Sequence, residues 1–91
     1  MSGDMWVILE LHPDYEINRK GHIRDSKTKS LVHRTINRGY WRVRLDGKRY
    51  YVHQLVMETF GDIYEPSKRI RFKNGDKSDP NIENLEYRSR K

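Results

Sequence analysis

Apolar side chains alternate with polar or basic ones most clearly at Trp41, Val43 and Leu45. A period of two predicts a β-strand with one face turned toward a core. Asp46-Gly47 follows directly, and this dipeptide is typical of a two-residue hairpin turn because both of its positions adopt positive φ angles. The sequence therefore predicts a hairpin whose second strand covers residues 49–52.

The apolar spacing changes to three and four residues immediately after this hairpin. The positions that follow the new spacing are Val52, Leu55, Val56, Thr59 and Phe60. Because residues three and four apart share one face of a helix, this spacing predicts a short amphipathic helix near His53 to Phe60. Gly61 is expected to end the helix in the left-handed conformation that glycine adopts at low cost.

Weaker signals predict strands before this hairpin and helix. Residues 5–9 are expected to form a first strand, which His12-Pro13-Asp14 interrupts before a second strand begins at Tyr15-Glu16-Ile17. A hairpin turn at residues 18–21 leads into a returning strand, and the polar residues 25–30 are expected to form a loop.

The C-terminal third begins with a basic run at residues 68–73. Asn74-Gly75 then predicts another hairpin turn, and residues 81–87 are expected to form a turn that leads into a strand or a helical turn. The core predicted from all these patterns consists of Trp6, Ile17, Trp41, Val43, Leu45, Leu55, Val56, Phe60, Ile70 and Leu85.

The composition adds an expected domain count and a class of partner. A chain of 91 residues has apolar material for one core, so a single domain covering residues 1–91 is expected. Its 19 Lys and Arg against 13 Asp and Glu give a formal net charge of +6. That charge favours a polyanionic partner, although many modestly basic proteins bind no nucleic acid. Tyr40, Arg42 and Arg44, on the polar side of the alternating strand, fit either a phosphate-binding stripe or an ordinary solvated face.

Several kinds of chemistry are excluded or not indicated. The sequence contains no cysteine, which excludes disulfides, thiolate nucleophiles and zinc ribbons. The histidines His12, His22, His33 and His53 show no metal-binding spacing, so no metal ion and no cofactor are expected. No apolar run approaches the roughly 20 residues that cross a membrane, so a cytoplasmic protein without a membrane partner is expected.

Motifs in three stretches of the chain follow a common order. Residues 6–24 contain Trp6-Val7-Ile8, then YEIN and GHIR, residues 39–60 run from Gly39-Tyr40 to VHQLVMETF, and residues 71–87 contain RFKNGDK and NIENLEY. In this order they resemble the phage and intron HNH homing endonucleases together with the small modular domain that precedes the nuclease part. The corresponding patterns of that family are W-x-x-I, YEIS, G-x-V-R, GY-x-x-V-x-L, VHRLVAETF and DHIDGNK followed by N-x-x-NLEW.

This resemblance implies an architecture. It implies an α+β fold made of small β-hairpins, one central helix and a truncated ββα-metal unit. Residues 1–38 would form the N-terminal modular β part, and residues 39–91 would form the HNH part.

Two departures from the family pattern concern its catalytic site. In the family, an Asp-His doublet supplies a metal ligand and the general base that activates water, but here Arg71 and Phe72 occupy these positions. A guanidinium has no lone pair for a metal ion, and a phenyl ring accepts no proton. Asn84 matches the asparagine that orients the base histidine, and the chain ends at Lys91, before the closing helix that carries a further metal ligand. Arg71, Phe72 and Asn84 are therefore interpreted as the remnant of an HNH site, and no catalytic residue is expected.

The favoured hypothesis is a DNA-binding protein derived from an HNH homing endonuclease that has lost cleavage, with a regulatory role in a phage or mobile element. Arg71 fits either drift after that loss or a bidentate contact with the phosphate that the metal once touched. The alternative is a protein-binding inhibitor or adaptor of a host enzyme, and a residual metal-dependent nuclease is less favoured. The oligomeric state stays open. The expected contacts with the DNA phosphate backbone come from Arg42, Arg44, Lys48, Arg49, His53, Arg71 and Lys73.

Overall fold

The structure is a computed structural model that describes residues 5–61 and 69–87. Over these residues the chain forms eight short strands, one helix and one 3₁₀ turn. The strands are β1 (Val7–Leu9), β2 (His12–Ile17), β3 (Ile23–Asp25), β4 (Arg34–Asn37), β5 (Tyr40–Leu45), β6 (Lys48–Tyr51), β7 (Ile70–Phe72) and β8 (Leu85–Tyr87), the helix is α1 (Val52–Phe60), and the 3₁₀ turn is Ile82–Asn84. They build three antiparallel sheets in the orders β1-β2-β3, β4-β5-β6 and β7-β8. The predicted α+β class, with small hairpins and one helix, is confirmed.

The first sheet contains the hairpin predicted at residues 18–21. Asn18 is fully buried, its side-chain oxygen accepts hydrogen bonds from the backbone N–H groups of Lys20 and His22, and Gly21 has a φ of 90°. The interruption expected at residues 12–14 is wrong, because β2 runs through Pro13. Proline is tolerated there because β3 pairs only with residues 15–17 and needs no donor at that position.

The second sheet contains the hairpin predicted from Asp46-Gly47. These residues have φ angles of 51° and 83°, and they join β5 to β6 as expected. Strand β4 was not expected from the sequence. It pairs with β5 through a second two-residue turn at Arg38-Gly39, where both φ angles are again positive. This hairpin spans residue 38, at which the modular and HNH parts were expected to meet.

Helix α1 packs on one face of the second sheet. Its buried side chains are Val52, Leu55, Val56 and Met57, and they form the core together with residues such as Val43 and Leu45 of β5. The helix ends at the expected residue, but the left-handed conformation expected for Gly61 is wrong because its φ is −70°. A Cβ atom at Gly61 would lie 2.5 Å from the carbonyl oxygen of Met57, so close approach to the helix, and not a positive φ, requires glycine there.

The third sheet corrects the turn predicted at Asn74-Gly75. A two-residue hairpin there is wrong, because β7 pairs with β8 across the long connection at residues 73–84. Within this connection the Gly75 N–H donates to the Phe72 carbonyl, and the Lys73 N–H donates to the Asn84 carbonyl.

The connection at residues 73–84, which we call the 73–84 loop, contacts the other two sheets. The Trp41 indole N–H donates to the Ser78 carbonyl at 2.8 Å, and the Ile82 N–H donates to the Arg19 carbonyl at 2.9 Å. Gly21 lies so close to Pro80 that a Cβ atom at Gly21 would stand 2.8 Å from the proline ring. The loop therefore joins the N-terminal hairpins to the rest of the fold.

Six of the ten predicted core residues are buried: Ile17, Val43, Leu45, Leu55, Val56 and Leu85. Trp6, Trp41, Phe60 and Ile70 are only half-buried, which differs from the prediction. Each of the three aromatic rings is covered in part by a cation: Arg24 lies over Trp6, Arg34 over Trp41 and Arg19 over Phe60. Among the described residues, no helix has the length and apolar character that spanning a membrane requires.

Candidate nucleic-acid interface

Three of the expected arginines lie on the face of the second sheet that points away from α1. Arg42 is opposite Thr35 and Tyr51, and Arg44 is directly opposite Arg49. Residues that face each other across an antiparallel pair project to the same side of the sheet. Arg42, Arg44 and Arg49 therefore share this side, which we call the arginine face.

The charges of the arginine face are not neutralised by the described residues. None of its three arginines forms an ion pair within residues 5–61 and 69–87, and the Nε atom of Arg42 is buried without a hydrogen-bond acceptor. Like charges directly opposite each other on a sheet are destabilising. A buried donor without an acceptor typically costs about 1–3 kcal/mol. An anion bound between the exposed Arg44 and Arg49 would relieve their mutual repulsion.

Lys48 lies on the other side of the same sheet. It is directly opposite Leu45, whose side chain is fully buried beneath the helix face. Lys48 itself is exposed at the end of the hairpin. The structure therefore separates Lys48 from the three arginines with which the sequence grouped it.

Four aromatic rings cluster beside the arginine face. The centroids of Tyr40, Tyr51, His53 and Phe72 stand between 5.1 and 5.8 Å apart in five ring pairs. Burial among these rings lowers the pKa of the His53 imidazole to about 4, because desolvation penalises its charged form. At neutral pH His53 is therefore uncharged, and it packs against Phe72 at 5.1 Å instead of adding a positive charge for a phosphate.

Strand β7 extends the basic surface. Arg71 is exposed, and its Nε atom is 3.6 Å from the Oε2 atom of Glu86 on β8. Arg69, Arg71 and Lys73 alternate along the chain with the half-buried Ile70 and Phe72. Arg69 and Arg71 also line an open hollow next to Tyr40. Arg69 was missing from the expected set, and the period-two spacing of the basic run would have revealed it.

Asn84 fixes the loop that follows Phe72. Its amide nitrogen donates to the Asn74 side-chain oxygen and to the Asp79 carbonyl, both at 3.0 Å. Its side-chain oxygen accepts from the Asn74 N–H at 3.0 Å. In this chain the side chain of Asn84 thus holds the backbone of the 73–84 loop.

A divalent metal ion does not fit Arg71 and Phe72, the two residues that the resemblance places at the catalytic doublet of the family. Arg71 offers no lone pair and Phe72 offers no ligand atom. Among the described residues there is also no group of three His, Asp or Glu side chains able to hold a metal ion. No reaction step through a metal can be derived from these residues.

The fold and this surface define a class of protein, a small α+β domain. Its arginine face has no acidic partner among the described residues, and it lies beside the β7–β8 pair, whose connecting loop is held by Asn84. Residues 50–91 match the family model of the HNH endonucleases. The chain is 35% identical over 88 residues to an uncharacterized HNH endonuclease of Acanthamoeba polyphaga mimivirus, a match that covers 90% of this chain and 26% of that protein. It also superposes on the HNH homing endonuclease I-HmuI, from a structure described as showing DNA binding and cleavage, with a TM-score of 0.84 and 25% identity.

These comparisons relate the chain to the HNH endonucleases, and at this level the resemblance found in the sequence is confirmed. The superposition on I-HmuI covers 93% of this chain and 52% of that one. The chain therefore spans about a quarter of the viral relative and about half of the solved one.

Proposed function

We propose that this chain binds DNA through its phosphate backbone and does not cleave it. The observation that carries the proposal is the direct opposition of Arg44 and Arg49, next to Arg42, without an acidic partner among the described residues. An arrangement that is unfavourable in the free protein becomes favourable when a polyanion lies across it. The proposed contacts are Arg42, Arg44 and Arg49 on the arginine face and Arg69, Arg71 and Lys73 along β7.

Duplex DNA suits this surface better than a small anion does. The six cationic side chains come from the β5–β6 hairpin, which includes Tyr40, and from residues 69–73 around β7. A ligand that meets several of them must therefore be extended and repeatedly charged. The formal net charge of +6 acts in the same direction by drawing a polyanion toward the protein. The DNA binding described for I-HmuI supports the same assignment.

Loss of cleavage follows from the residues at the remnant site. Phe72 stands where the general base is expected, and removal of such a base typically costs about 10²–10⁴-fold in rate. The neighbouring imidazole of His53 is a poor substitute, because its pKa of about 4 makes it a weak base. Arg71 replaces a metal ligand with a group that holds a phosphate directly, so the site is suited to binding and not to hydrolysis.

A protein that holds a site without cutting it has regulatory uses. It blocks access by another protein, including an active endonuclease that recognises the same site. We propose such a role in a virus or mobile element, and the viral relative is consistent with it.

Binding to a labelled duplex tests the proposal, with the double variant Arg44→Ala/Arg49→Ala compared with Lys48→Ala. The double variant removes two charges from the arginine face, whereas Lys48→Ala removes one from the opposite side of the sheet. We expect the double variant to lose about tenfold or more in affinity and its salt slope to become shallower by about two. Lys48→Ala should change the affinity by less than about threefold. An equal loss per charge removed in both variants would contradict the proposed binding face.

A further inference from the structure

A groove runs between the turn of the β1–β2 hairpin and the exposed side of α1. It consists of two adjoining hollows that share Leu11 and Glu58. The first hollow extends to Ile8 and Glu10, and the second extends to Tyr50.

Two of the residues that line this groove are exposed and apolar. Leu11 is 74% exposed and Ile8 is 53% exposed, although both are large aliphatic residues. Single exposed apolar residues are common on protein surfaces, whereas contiguous exposed apolar surface is typical of interaction sites. Burial of such side chains is the main source of favourable free energy in association.

Two carboxylates border the groove. Glu10 and Glu58 are exposed, and neither forms an ion pair with any residue of the described ranges. In a chain with a net charge of +6, this pair marks a local acidic edge. Such an edge repels phosphate and attracts Lys or Arg side chains.

The groove and the arginine face lie on opposite sides of the second sheet. Tyr50, which lines the groove, is directly opposite Val43, whose side chain is buried against α1. Arg44 and Arg49 project to the other side. A ligand in the groove and DNA on the arginine face would therefore not compete for the same surface.

We propose that the groove binds a segment of a partner protein that carries apolar side chains interspersed with Lys or Arg. The apolar side chains of the segment cover Leu11 and Ile8, and its cations pair with Glu10 and Glu58. The same molecule then holds DNA on one side and a basic, apolar protein segment on the other.

A short fluorescent peptide of leucine and lysine serves as the probe, and the same peptide with glutamate in place of lysine serves as its counterpart. Anisotropy is measured with the full chain at one fixed ionic strength. The net charge of +6 alone would favour the acidic peptide. The proposal instead predicts that the leucine–lysine peptide binds about tenfold or more tightly than the leucine–glutamate peptide.

Glu58→Lys and Glu83→Lys form a matched pair of variants, because both reverse one exposed carboxylate and only Glu58 lines the groove. We expect Glu58→Lys to weaken binding of the leucine–lysine peptide about tenfold and Glu83→Lys to change it less than about twofold. Leu11→Ser should also weaken binding while the affinity for DNA stays unchanged.

Three results would overturn the proposal. The first is tighter binding of the acidic peptide, and the second is an equal effect of the two charge reversals. The third is self-association of the chain that Leu11→Ser abolishes, because the groove would then hold a second copy. Circular dichroism of each variant confirms that the exposed substitutions leave the fold intact.

Discussion

The rings of Phe72 and His53 lie 5.1 Å apart. We propose that Phe72 occupies the position of the family's general base. The identity of Phe72 was available from the sequence, and so was the chemistry that it excludes. The neutral state of His53 was not, because it arises from burial among rings that include Tyr40 and Phe72, which are distant from it in the sequence. The position of Lys48 was available in principle: a two-residue turn at Asp46-Gly47 makes Leu45 and Lys48 opposite each other.

The lowered pKa of His53 predicts a pH dependence of stability. The imidazole titrates near 6.5 in the unfolded chain and near 4 in the folded one, so the unfolded state binds the extra proton between these values. The free energy of unfolding should therefore not depend on His53 above about pH 6.5, and it should fall as the pH is lowered toward 4. The expected loss is roughly 2 kcal/mol after allowance for the solvent that still reaches the ring. Urea unfolding at pH 7 and pH 4.5 measures this change.

His53→Phe is the control for that prediction. Glu16, Asp25 and Asp76 have lowered pKa values in the folded chain, because hydrogen bonds stabilise their charged forms, and they also contribute at acidic pH. The difference between the wild type and His53→Phe isolates the contribution of the histidine. An identical loss of stability in both proteins would show that His53 titrates normally.

Cleavage provides a second prediction at the level of single residues. We expect no nicking of supercoiled plasmid by micromolar protein with Mg²⁺ or Mn²⁺, because the proposed function has Phe72 at the position of the base and Arg71 at that of a metal ligand. Gel electrophoresis of the plasmid over several hours measures the outcome. Nicking that depends on the metal and disappears in Asn84→Ala would contradict the account.

The elements of the fold differ in how far local patterns specify them. Strands β5 and β6 and helix α1 were predicted because periodicity and the Asp46-Gly47 turn are local signals. Strand β4 was missed because its residues, Arg34–Asn37, carry little apolar periodicity and are held by pairing with β5. The turn prediction at Asn74-Gly75 was wrong because the 73–84 loop is held by side-chain hydrogen bonds between Asn84 and residues earlier in the loop, and by contacts with other sheets.

Two glycine substitutions test the importance of contacts between elements. Gly21 and Gly47 both have positive φ angles, 90° and 83°, so alanine is strained at either by about 1–2 kcal/mol. Only at Gly21 would the new Cβ meet neighbours, at 2.8 Å from Pro80 and 2.9 Å from Val52. We expect Gly47→Ala to cost about 1 kcal/mol and Gly21→Ala about 3 kcal/mol in the free energy of unfolding.

Chemical denaturation of the two variants measures that difference. Equal losses of stability would show that the 73–84 loop does not press against the N-terminal hairpins. A greater loss for Gly21→Ala would show that Gly21 packs tightly against Pro80 of the loop and Val52 of α1.

At the scale of the whole molecule, charge is distributed unevenly. Arginines without acidic partners among the described residues lie on one side of the second sheet, and the acidic, apolar groove lies on the other. The net charge was known from the sequence, but the separation of these surfaces depends on how three sheets and one helix are joined. This separation is what allows one small domain to be proposed as a link between DNA and a protein.

The salt dependence of DNA affinity tests the central claim most directly, because each phosphate that the protein neutralises releases counterions from the DNA. If about five of the six proposed cations meet phosphates, the logarithm of the association constant should fall against the logarithm of salt concentration with a slope of roughly −4 to −5. Removal of Arg44 and Arg49 should make this slope shallower by about two. Titration of a labelled duplex between about 50 and 200 mM salt measures it. An affinity that does not change over this range would contradict DNA binding by the arginine face.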